Sequence, residues 1–488
     1  MSVLVLPRSR VPGRAFLIGM ALLGVVLVSL TRTVAWPGVY PLLVMPVGAA
    51  LATYSRRDAV TILGIFLALL LLIPSRFAIT QFSTAVTPAL LVGLFALWLW
   101  ACLLMVPGLG LGAGPQPLRI VIFFFLWSAA VSWALAYLRP LPAVEQRQAL
   151  IGFLMLASAC GIALLAADGI RSRSRLDDLM RWLVVGASLV AVVAIVQFVT
   201  GVDISRYLHP PGLATTGAGE AFIDIRSGLR RVQGTTGHPI ELAVLEAAVL
   251  PIALHVARHQ AGSTGWRHRV WWVCVGLLLV AVPLTISRAG VVGLAVGALA
   301  LMVLWPGKDR LLLVISLALM TGVLRFAIPG LIGTLIALFT TANTDPSITH
   351  RTNDYEAAAP YILDAPWFGR GFHTFIHSYY FVIDNQYLST LIETGVVGLV
   401  ALVGVFLTGI VLALLARRIS RDSVDRDLAH ALAAAILVAG VGFFSFDALG
   451  FAIATGVAFL LVGCAAALWR LQRGRLAAEH AGRHRGWR

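Results

Sequence analysis

Apolar runs of about 20 residues, separated by shorter polar segments, repeat along almost the whole chain. A run of that length is what an α-helix needs to cross the hydrocarbon core of a bilayer. The pattern therefore predicts an all-α, polytopic helical membrane protein, in which residues 1–488 form a single integral membrane domain. We expect about 14 transmembrane helices (12–14), near residues 15–34, 39–53, 58–74, 86–106, 118–138, 149–167, 181–200, 238–257, 269–286, 289–305, 311–328, 386–415, 429–446 and 448–469.

Composition agrees with this class and excludes others. Hydrophobic residues make up 59% of the chain and charged residues only 12%, which is far from the average of a soluble domain. The net charge of +15 would suggest nucleic acid as the partner of a soluble protein. Here the arginines flank the apolar runs, so we expect membrane lipids and no nucleic acid as partners. The four cysteines lie inside apolar runs without metal-type spacing, which favours neither a disulfide framework nor a zinc site.

Basic residues gather in alternate connecting segments, and this indicates the orientation in the membrane. With the N-terminus in the cytoplasm, most basic residues fall on the cytoplasmic side, including those of a basic tail over residues 470–488. We therefore expect a multi-pass protein of the plasma (inner) membrane with both termini in the cytoplasm.

Two long polar segments, 201–237 and 329–385, are expected on the extracytoplasmic side. The first carries arginines against the charge trend, for which pairing with acidic residues of the same loop is an alternative explanation. The second is predicted to be the main catalytic loop. Within it, Asn353-x-x-Glu356 predicts a capping box that opens a helix over 354–363, and the apolar stretch 331–339 predicts a helix lying in the membrane interface.

Three clusters of polar residues are expected at the outer face of the membrane. They are Arg230-Arg231-Val-Gln-Gly-Thr-Thr-Gly-His238-Pro239, which leads into a helix carrying Glu241; the hairpin Thr285-Ile-Ser287-Arg288-Ala-Gly290; and Pro366-Trp-Phe-Gly369-Arg370-Gly371, followed by Asp384-Asn385-Gln386-Tyr387 and Glu393-Thr-Gly395. Their order, and the long loop before the third-last span, resemble the O-antigen ligase and O-antigen polymerase superfamily over roughly residues 183–469.

The resemblance implies a membrane glycosyltransferase that moves a glycan from a polyprenyl-diphosphate carrier to an acceptor hydroxyl at the outer face, with inversion and without a metal or other cofactor. It implies as partners a polyprenyl-diphosphate-linked glycan donor and a glycan or glycolipid acceptor. Arg231, or its neighbour Arg230, and Arg288 are then expected to contact the diphosphate, since guanidinium groups bind phosphate oxygens in pairs. Arg226 and Arg370 are further candidates, the latter because the flanking glycine amides suit an anion nest.

One departure from the family pattern concerns the base that activates the acceptor. Ligases of this family often carry His-Asn where this chain has Asp384-Asn385. Asp384 is expected to act as the base, with His373 and His377 on the same loop as substitutes, and a helix cap before residue 386 as the structural alternative. The remaining residues expected to line the substrate site are His238, Glu241, Asn385 and Tyr387.

The same departure favours a cell-surface polysaccharide polymerase, with ligase-type transfer to a lipid or cell-wall anchor as the first alternative. A lipid-linked oligosaccharide flippase is the second alternative, although transporters favour internal repeats and polar residues at mid-membrane, which this sequence does not show. A metal-dependent glycosyltransferase is disfavoured, because the first outer loop, 31–38, holds no acidic pair.

Overall fold

The computed structural model describes residues 58–79, 86–105, 115–203, 212–215, 223–259, 266–340 and 346–485. These residues form fourteen α-helices: α1 (Ala59–Leu72), α2 (Pro88–Met105), α3 (Pro117–Ala136), α4 (Ala143–Gly169), α5 (Arg173–Thr200), α6 (Pro239–His259), α7 (Trp266–Leu284), α8 (Arg288–Leu304), α9 (Gly307–Ala327), α10 (Leu331–Thr340), α11 (Pro346–Asp364), α12 (Gln386–Ile419), α13 (Ser423–Gly442) and α14 (Ala452–Arg485). Two antiparallel ribbons complete them: β1 (Phe77–Ala78) with β2 (Ala214–Thr215), and β3 (Asp224–Arg226) with β4 (Leu229–Arg231).

The helices confirm the all-α class. Each of the twelve spans predicted from residue 58 onwards coincides with a helix, while the two predicted over 15–34 and 39–53 lie outside the described residues. Seven helices are long and apolar enough to cross a bilayer, namely Pro117–Ala136, Ala143–Gly169, Arg173–Thr200, Pro239–His259, Gly307–Ala327, Gln386–Ile419 and Ala452–His480. Five shorter apolar helices accompany them, so the exact number of spans stays a prediction.

The predicted capping box at Asn353 is wrong. The helix that contains it, α11, begins at Pro346 and runs through Asn353 without a break. A box of this kind marks a start only where the preceding residue is non-helical, and here the helix continues from the N-terminal side. The apolar stretch 331–339 does form a helix, α10, whose place at a membrane interface stays a prediction.

The core of the bundle is built around α4, α6, α13 and α14. The most apolar stretches of α14 and α6 are 94% and 89% buried, whereas that of α9 is 6% buried. Helix α9 therefore lies at the edge of the bundle. Small residues let the central helices approach closely. A Cβ on Gly463 of α14 would lie 2.4 Å from the carbonyl oxygen of Ala163 on α4, which is the contact that small residues permit between membrane helices.

Helix α12 is broken near the middle of its first half. Gly395 has φ 65° and ψ −166°, which is outside the helical region. The loop before α12 enters this break so closely that a Cβ on Gly395 would lie 2.3 Å from the carbonyl carbon of Trp367. On the other side, Gly369 (φ 68°) could not carry a Cβ either, since it would lie 2.2 Å from the carbonyl carbon of Glu393.

The break is closed by hydrogen bonds between the loop and the two halves of α12. Four backbone amides donate across it: Arg370 to Ile392 (3.0 Å), Gly371 to Glu393 (3.1 Å), Val396 to Pro366 (2.8 Å) and Val397 to Trp367 (3.2 Å). Backbone groups freed by a helix break inside a bundle must find such partners. The Pro-Trp-Phe-Gly-x-Gly and Glu-x-Gly motifs are therefore the two halves of one structural junction.

We expect Gly395→Ala to destabilise the protein by about 2 kcal/mol or more, because a left-handed backbone and an overlap with Trp367 are both imposed on the new side chain. Gly276→Ala is the matched control, since that glycine lies in α7 with open space around it. The measurement is thermal unfolding in detergent, followed by size-exclusion chromatography. Equal melting temperatures for the two variants would contradict the junction.

Candidate active site

A cavity of about 390 Å³ lies where α6 and α8 begin and where the chain enters α12. It is lined by Asp224, Ile225, Arg226, Arg231, His238, Ile240, Ser287, Arg288, Ala289, Asp384 and Ser445. Five of the residues predicted from the sequence therefore come together here: three arginines, one histidine and one aspartate. Four of them belong to the three polar clusters of the sequence, and Arg226 lies in the strand just before the first cluster. The ends of α6, α8 and α12 at the cavity are the ends that the sequence predicts to face the extracytoplasmic side.

The hairpin of β3 and β4 decides which arginines face the cavity. Its two-residue turn, Ser227-Gly228, has positive φ at both positions (52° and 78°), the geometry of tight hairpins. Asp224 pairs with Arg231, and Ile225 pairs with Arg230. Because side chains alternate along a strand, Arg231 lies on the same face of the hairpin as Asp224 and Arg226. Arg230 lies on the opposite face.

Arg230 is accordingly not a member of the cavity lining, whereas Arg231 is. Its guanidinium donates to the carbonyl oxygens of Phe198 and Val199, both at 2.9 Å. These carbonyls belong to the last turn of α5, where a cation satisfies acceptors left without helical partners. Arg230 is a helix cap.

Arg231 is held at the cavity wall by the chain between α7 and α8. Its Nε donates to the carbonyl oxygen of Thr285 at 3.1 Å, and its Nη1 lies 3.4 Å from Asp224 Oδ2. Burial lowers the pKa of the Arg231 guanidinium from its ordinary value, with Asp224 acting in the opposite direction. The side chain is only 11% exposed, so its orientation is fixed before any ligand arrives.

Arg288 is the first residue of α8 and is oriented in the same way. Its Nε donates to the carbonyl oxygen of Leu338 at 2.6 Å, near the end of α10. The preceding turn is tight, with the buried Ile286 at φ 47°, a conformation that is unusual for a β-branched residue and tends to persist at functional sites.

His238 is the residue before α6 and is neutral in the folded protein. Burial, followed by the charge of Arg231, lowers the pKa of His238 from 6.5 to about 4. Its Nδ1 accepts a hydrogen bond from the backbone amide of Ile240 at 3.2 Å, so Nε2 carries the proton. The cavity therefore contains a neutral imidazole beside its arginines.

Asp384 lines the cavity, and the residue after it caps the helix. Asn385 Oδ1 accepts from the amides of Tyr387 (3.0 Å) and Leu388 (3.3 Å) at the start of α12. The structural alternative for Asp384, that it is the cap, is therefore wrong.

Asn385 and Tyr387 are not in the lining of the cavity. The Tyr387 hydroxyl donates to the carbonyl oxygen of Gly440 at 2.7 Å, which ties α12 to α13.

His373 and His377 form a second group, outside the cavity lining, around an aspartate that sequence reasoning missed. His377 Nε2 lies 3.8 Å from Asp447 Oδ2. Burial raises the pKa of Asp447, and burial lowers the pKa of His373. Asp447 follows an apolar run and carries no motif of its own, so nothing in the sequence marked it. Asp224, Ser287 and Ser445 of the lining were also not predicted as ligand-facing residues.

Comparison with known families gives one match. Residues 272–403 match the model of the family described as O-antigen ligase. This confirms the resemblance inferred from the motifs for that part of the chain. The matched segment includes Arg288, the helix-break junction and Asp384, while the arginine hairpin and His238 precede it. No curated protein matches the chain.

Within the matched segment, the structure does not support an anion nest at Gly369-Arg370-Gly371. All three backbone amides are taken by carbonyl oxygens, of Ala365 for Gly369 and of Ile392 and Glu393 for the others. A nest needs free amides to bind an anion. The prediction is wrong because the turn is used to repair the break in α12.

The side chain of Arg370 is equally occupied. Its guanidinium packs over the ring of Tyr380 at 4.2 Å and hydrogen-bonds to the Tyr380 hydroxyl. Arg370 Nη2 also lies 3.5 Å from Glu145 Oε1. The other oxygen of that carboxylate, Oε2, forms an ion pair with Arg139 Nη2 at 2.7 Å. Glu145 is 4% exposed. Arg370 is thus a partner of a buried carboxylate and not part of the cavity lining.

Glu241 is a further predicted site residue that serves the fold. It is fully buried, and its carboxylate accepts from the amides of Gly237 (2.8 Å), Ile453 (3.0 Å) and Ala454 (3.1 Å). It therefore caps the first turn of α14 from its place in α6. It borders a neighbouring cavity of about 340 Å³, not the one that holds the arginines.

We expect Arg370→Met to destabilise the protein by about 1–3 kcal/mol, because Glu145 loses one of its two cationic partners. The affinity for a polyprenyl diphosphate should stay unchanged. The double variant Arg370→Met/Glu145→Gln is the control and should regain part of the loss. Thermal unfolding and ligand binding are measured side by side. A variant of full stability with tenfold weaker diphosphate binding would contradict this assignment.

Proposed function

We propose that the protein is a glycosyltransferase that moves a glycan from a polyprenyl-diphosphate carrier to an acceptor hydroxyl, and that it acts as a cell-surface polysaccharide polymerase. The observation that carries this proposal is the cavity of about 390 Å³ in which Arg226, Arg231 and Arg288 face Asp384. Its volume is within the usual range for small-molecule sites. In this proposal the cavity faces the extracytoplasmic side of the plasma membrane.

The arginines are proposed to hold the diphosphate. As the glycosidic bond breaks, the leaving diphosphate gains negative charge, which fixed cations stabilise most where water is excluded. In both Arg231 and Arg288, Nε donates to a backbone carbonyl oxygen, so the outer edge of each guanidinium is pre-oriented for phosphate oxygens. These fixed charges are proposed to act in place of a metal ion, and no cofactor is needed for the transfer.

Asp384 is proposed to activate the acceptor. Its carboxylate would remove the proton of the acceptor hydroxyl as the oxygen attacks the anomeric carbon on the side opposite the diphosphate, which inverts the configuration. Its position in the same lining as the arginines supports this role. His238, held neutral by burial and by Arg231, is proposed to donate a hydrogen bond to the substrate without adding charge.

Ligase-type transfer to a lipid or cell-wall anchor is the second candidate. The match of residues 272–403 to the O-antigen ligase family favours it, whereas the aspartate in place of the histidine of many ligases favours polymerisation. Both reactions use the same cavity and the same leaving group. They differ in the product: a polymerase lengthens the glycan on its carrier, and a ligase moves it onto an anchor.

Arg231→Ala and Arg288→Ala are each expected to abolish transfer, since each removes a charge that stabilises the diphosphate. The corresponding lysine variants should recover only part of the activity because the paired hydrogen bonds are lost. Arg230→Ala is the matched control: it lies next to Arg231 but caps α5, and it should keep most of the turnover. Turnover is measured with a purified polyprenyl-diphosphate donor. Near-normal turnover of Arg288→Ala would falsify the assignment.

Asp384→Asn is expected to leave donor binding intact and to lower the rate of transfer about a hundredfold or more, the usual cost of losing a general base. Asp384→His should retain measurable activity, because it restores the residue seen in related ligases. The measurement is single-turnover transfer, with His373→Ala and His377→Ala beside it. If Asp384→Asn matches the wild type while one histidine variant is inactive, the base is that histidine.

A further inference from the structure

A second cluster of titratable side chains lies at the end of the bundle opposite the cavity. His255 and His259 are one turn apart on the last turns of α6, so they share a face of the helix. Asp427, near the start of α13, lies between them. Its Oδ2 is 2.8 Å from His255 Nδ1 and 3.0 Å from His259 Nε2. One ligand atom from each of the three residues lies within 4.8 Å of the other two.

Hydrogen bonding does not fully account for this cluster. The buried His259 Nε2 has no well-aligned hydrogen bond within the described part of the chain, and its ion-pair partner at 3.0 Å is Asp427 Oδ2, the same oxygen that His255 contacts. A buried nitrogen that shares a poorly aligned partner is less well satisfied than one with a full hydrogen bond. A cation between the three groups would accept both imidazole lone pairs and the carboxylate at once, which would remove this cost.

The donor set and the spacing both suit a transition metal. Two imidazoles and one carboxylate are typical ligands of zinc and related divalent ions, with one position left for water. Around a tetrahedral ion with bonds of about 2.0–2.1 Å, neighbouring ligand atoms are about 3.3 Å apart. The two separations from Asp427 Oδ2, 2.8 and 3.0 Å, therefore need to widen by only a few tenths of an ångström, and the two imidazole nitrogens lie within 4.8 Å of each other.

A cation lies close to the carboxylate. Arg258 Nη1 is 3.6 Å from the other carboxylate oxygen of Asp427, an ion-pair distance without a hydrogen bond. Arg258 is itself paired with Asp309 and packs over the ring of Trp305 at 4.4 Å. Asp309 thus offsets the charge of the guanidinium beside Asp427.

We infer that His255, His259 and Asp427 bind a divalent first-row transition metal ion, for which zinc is the probe, and that the ion joins α6 to α13. The site is about 30 Å along α6 from the cavity, since some twenty residues separate Pro239 from His259. The ion therefore has a structural role and does not touch the reacting groups. This inference stands whether or not the proposed transfer reaction is correct.

The test uses the full chain, purified in detergent with a tag that contains no histidine, stripped with chelator and then given zinc. Bound zinc is counted by mass spectrometry after desalting, and thermal unfolding is followed with and without the ion. His259→Ala is the main variant because its side chain is partly exposed and the least disruptive to remove. Asp427→Asn is the second, and His268→Ala, a histidine of α7 near the same end, is the matched control.

The wild type and His268→Ala are expected to retain one zinc per chain and to melt several degrees higher with it. His259→Ala and Asp427→Asn should bind zinc at least about tenfold more weakly and should lose the thermal shift. Cobalt is the second probe and should give the wild type, but not His259→Ala, a visible absorption band. Absence of zinc from the wild type, or equal zinc on His259→Ala, overturns the inference.

Discussion

The structure depends on one constraint, which is that backbone groups buried inside the bundle must be hydrogen-bonded. Several helices begin or break inside the protein. The backbone groups that are left there without helical partners are hydrogen-bonded by a specific segment in each case. The loop 366–371 closes the break at Gly395. Glu241 caps the start of α14, and Gln386 Oε1 accepts from the Leu449 amide at 2.6 Å. Of these contacts, the one at Gln386 fixes the start of α12, next in sequence to the cavity-lining Asp384.

Hydropathy predicted the helices well because the length and composition of an apolar run are local properties. The roles of Arg370 and Glu241 could not be predicted in the same way. An acidic residue within an apolar helix is commonly functional, and a Gly-x-Gly turn commonly presents free amides. Whether those groups face a ligand or a neighbouring chain segment is a property of the tertiary structure, and here both face the chain.

Some of the missed detail was present in the sequence. Ser227-Gly228 between Asp-Ile-Arg and Leu-Arg-Arg is a two-residue hairpin signal, and strand alternation would have separated Arg230 from Arg231. The choice of helix cap was harder. Asp and Asn are equally good caps, so the sequence could not tell whether Asp384 or Asn385 caps α12. In the structure Asn385 is the cap, and the carboxylate of Asp384 lines the cavity.

The two ends of α6 show how the same types of side chain, arginine and aspartate, serve two purposes. At the far end, arginines and carboxylates are matched in pairs, as in Arg173 with Asp425 and Arg258 with Asp309, and such pairs stabilise the packing of helices. In the cavity, three arginines face only two aspartates, Asp224 and Asp384. Cations held in excess in a partly buried site carry an electrostatic cost. In the proposed reaction, the diphosphate of the donor would bring negative charge to a lining in which arginines outnumber aspartates.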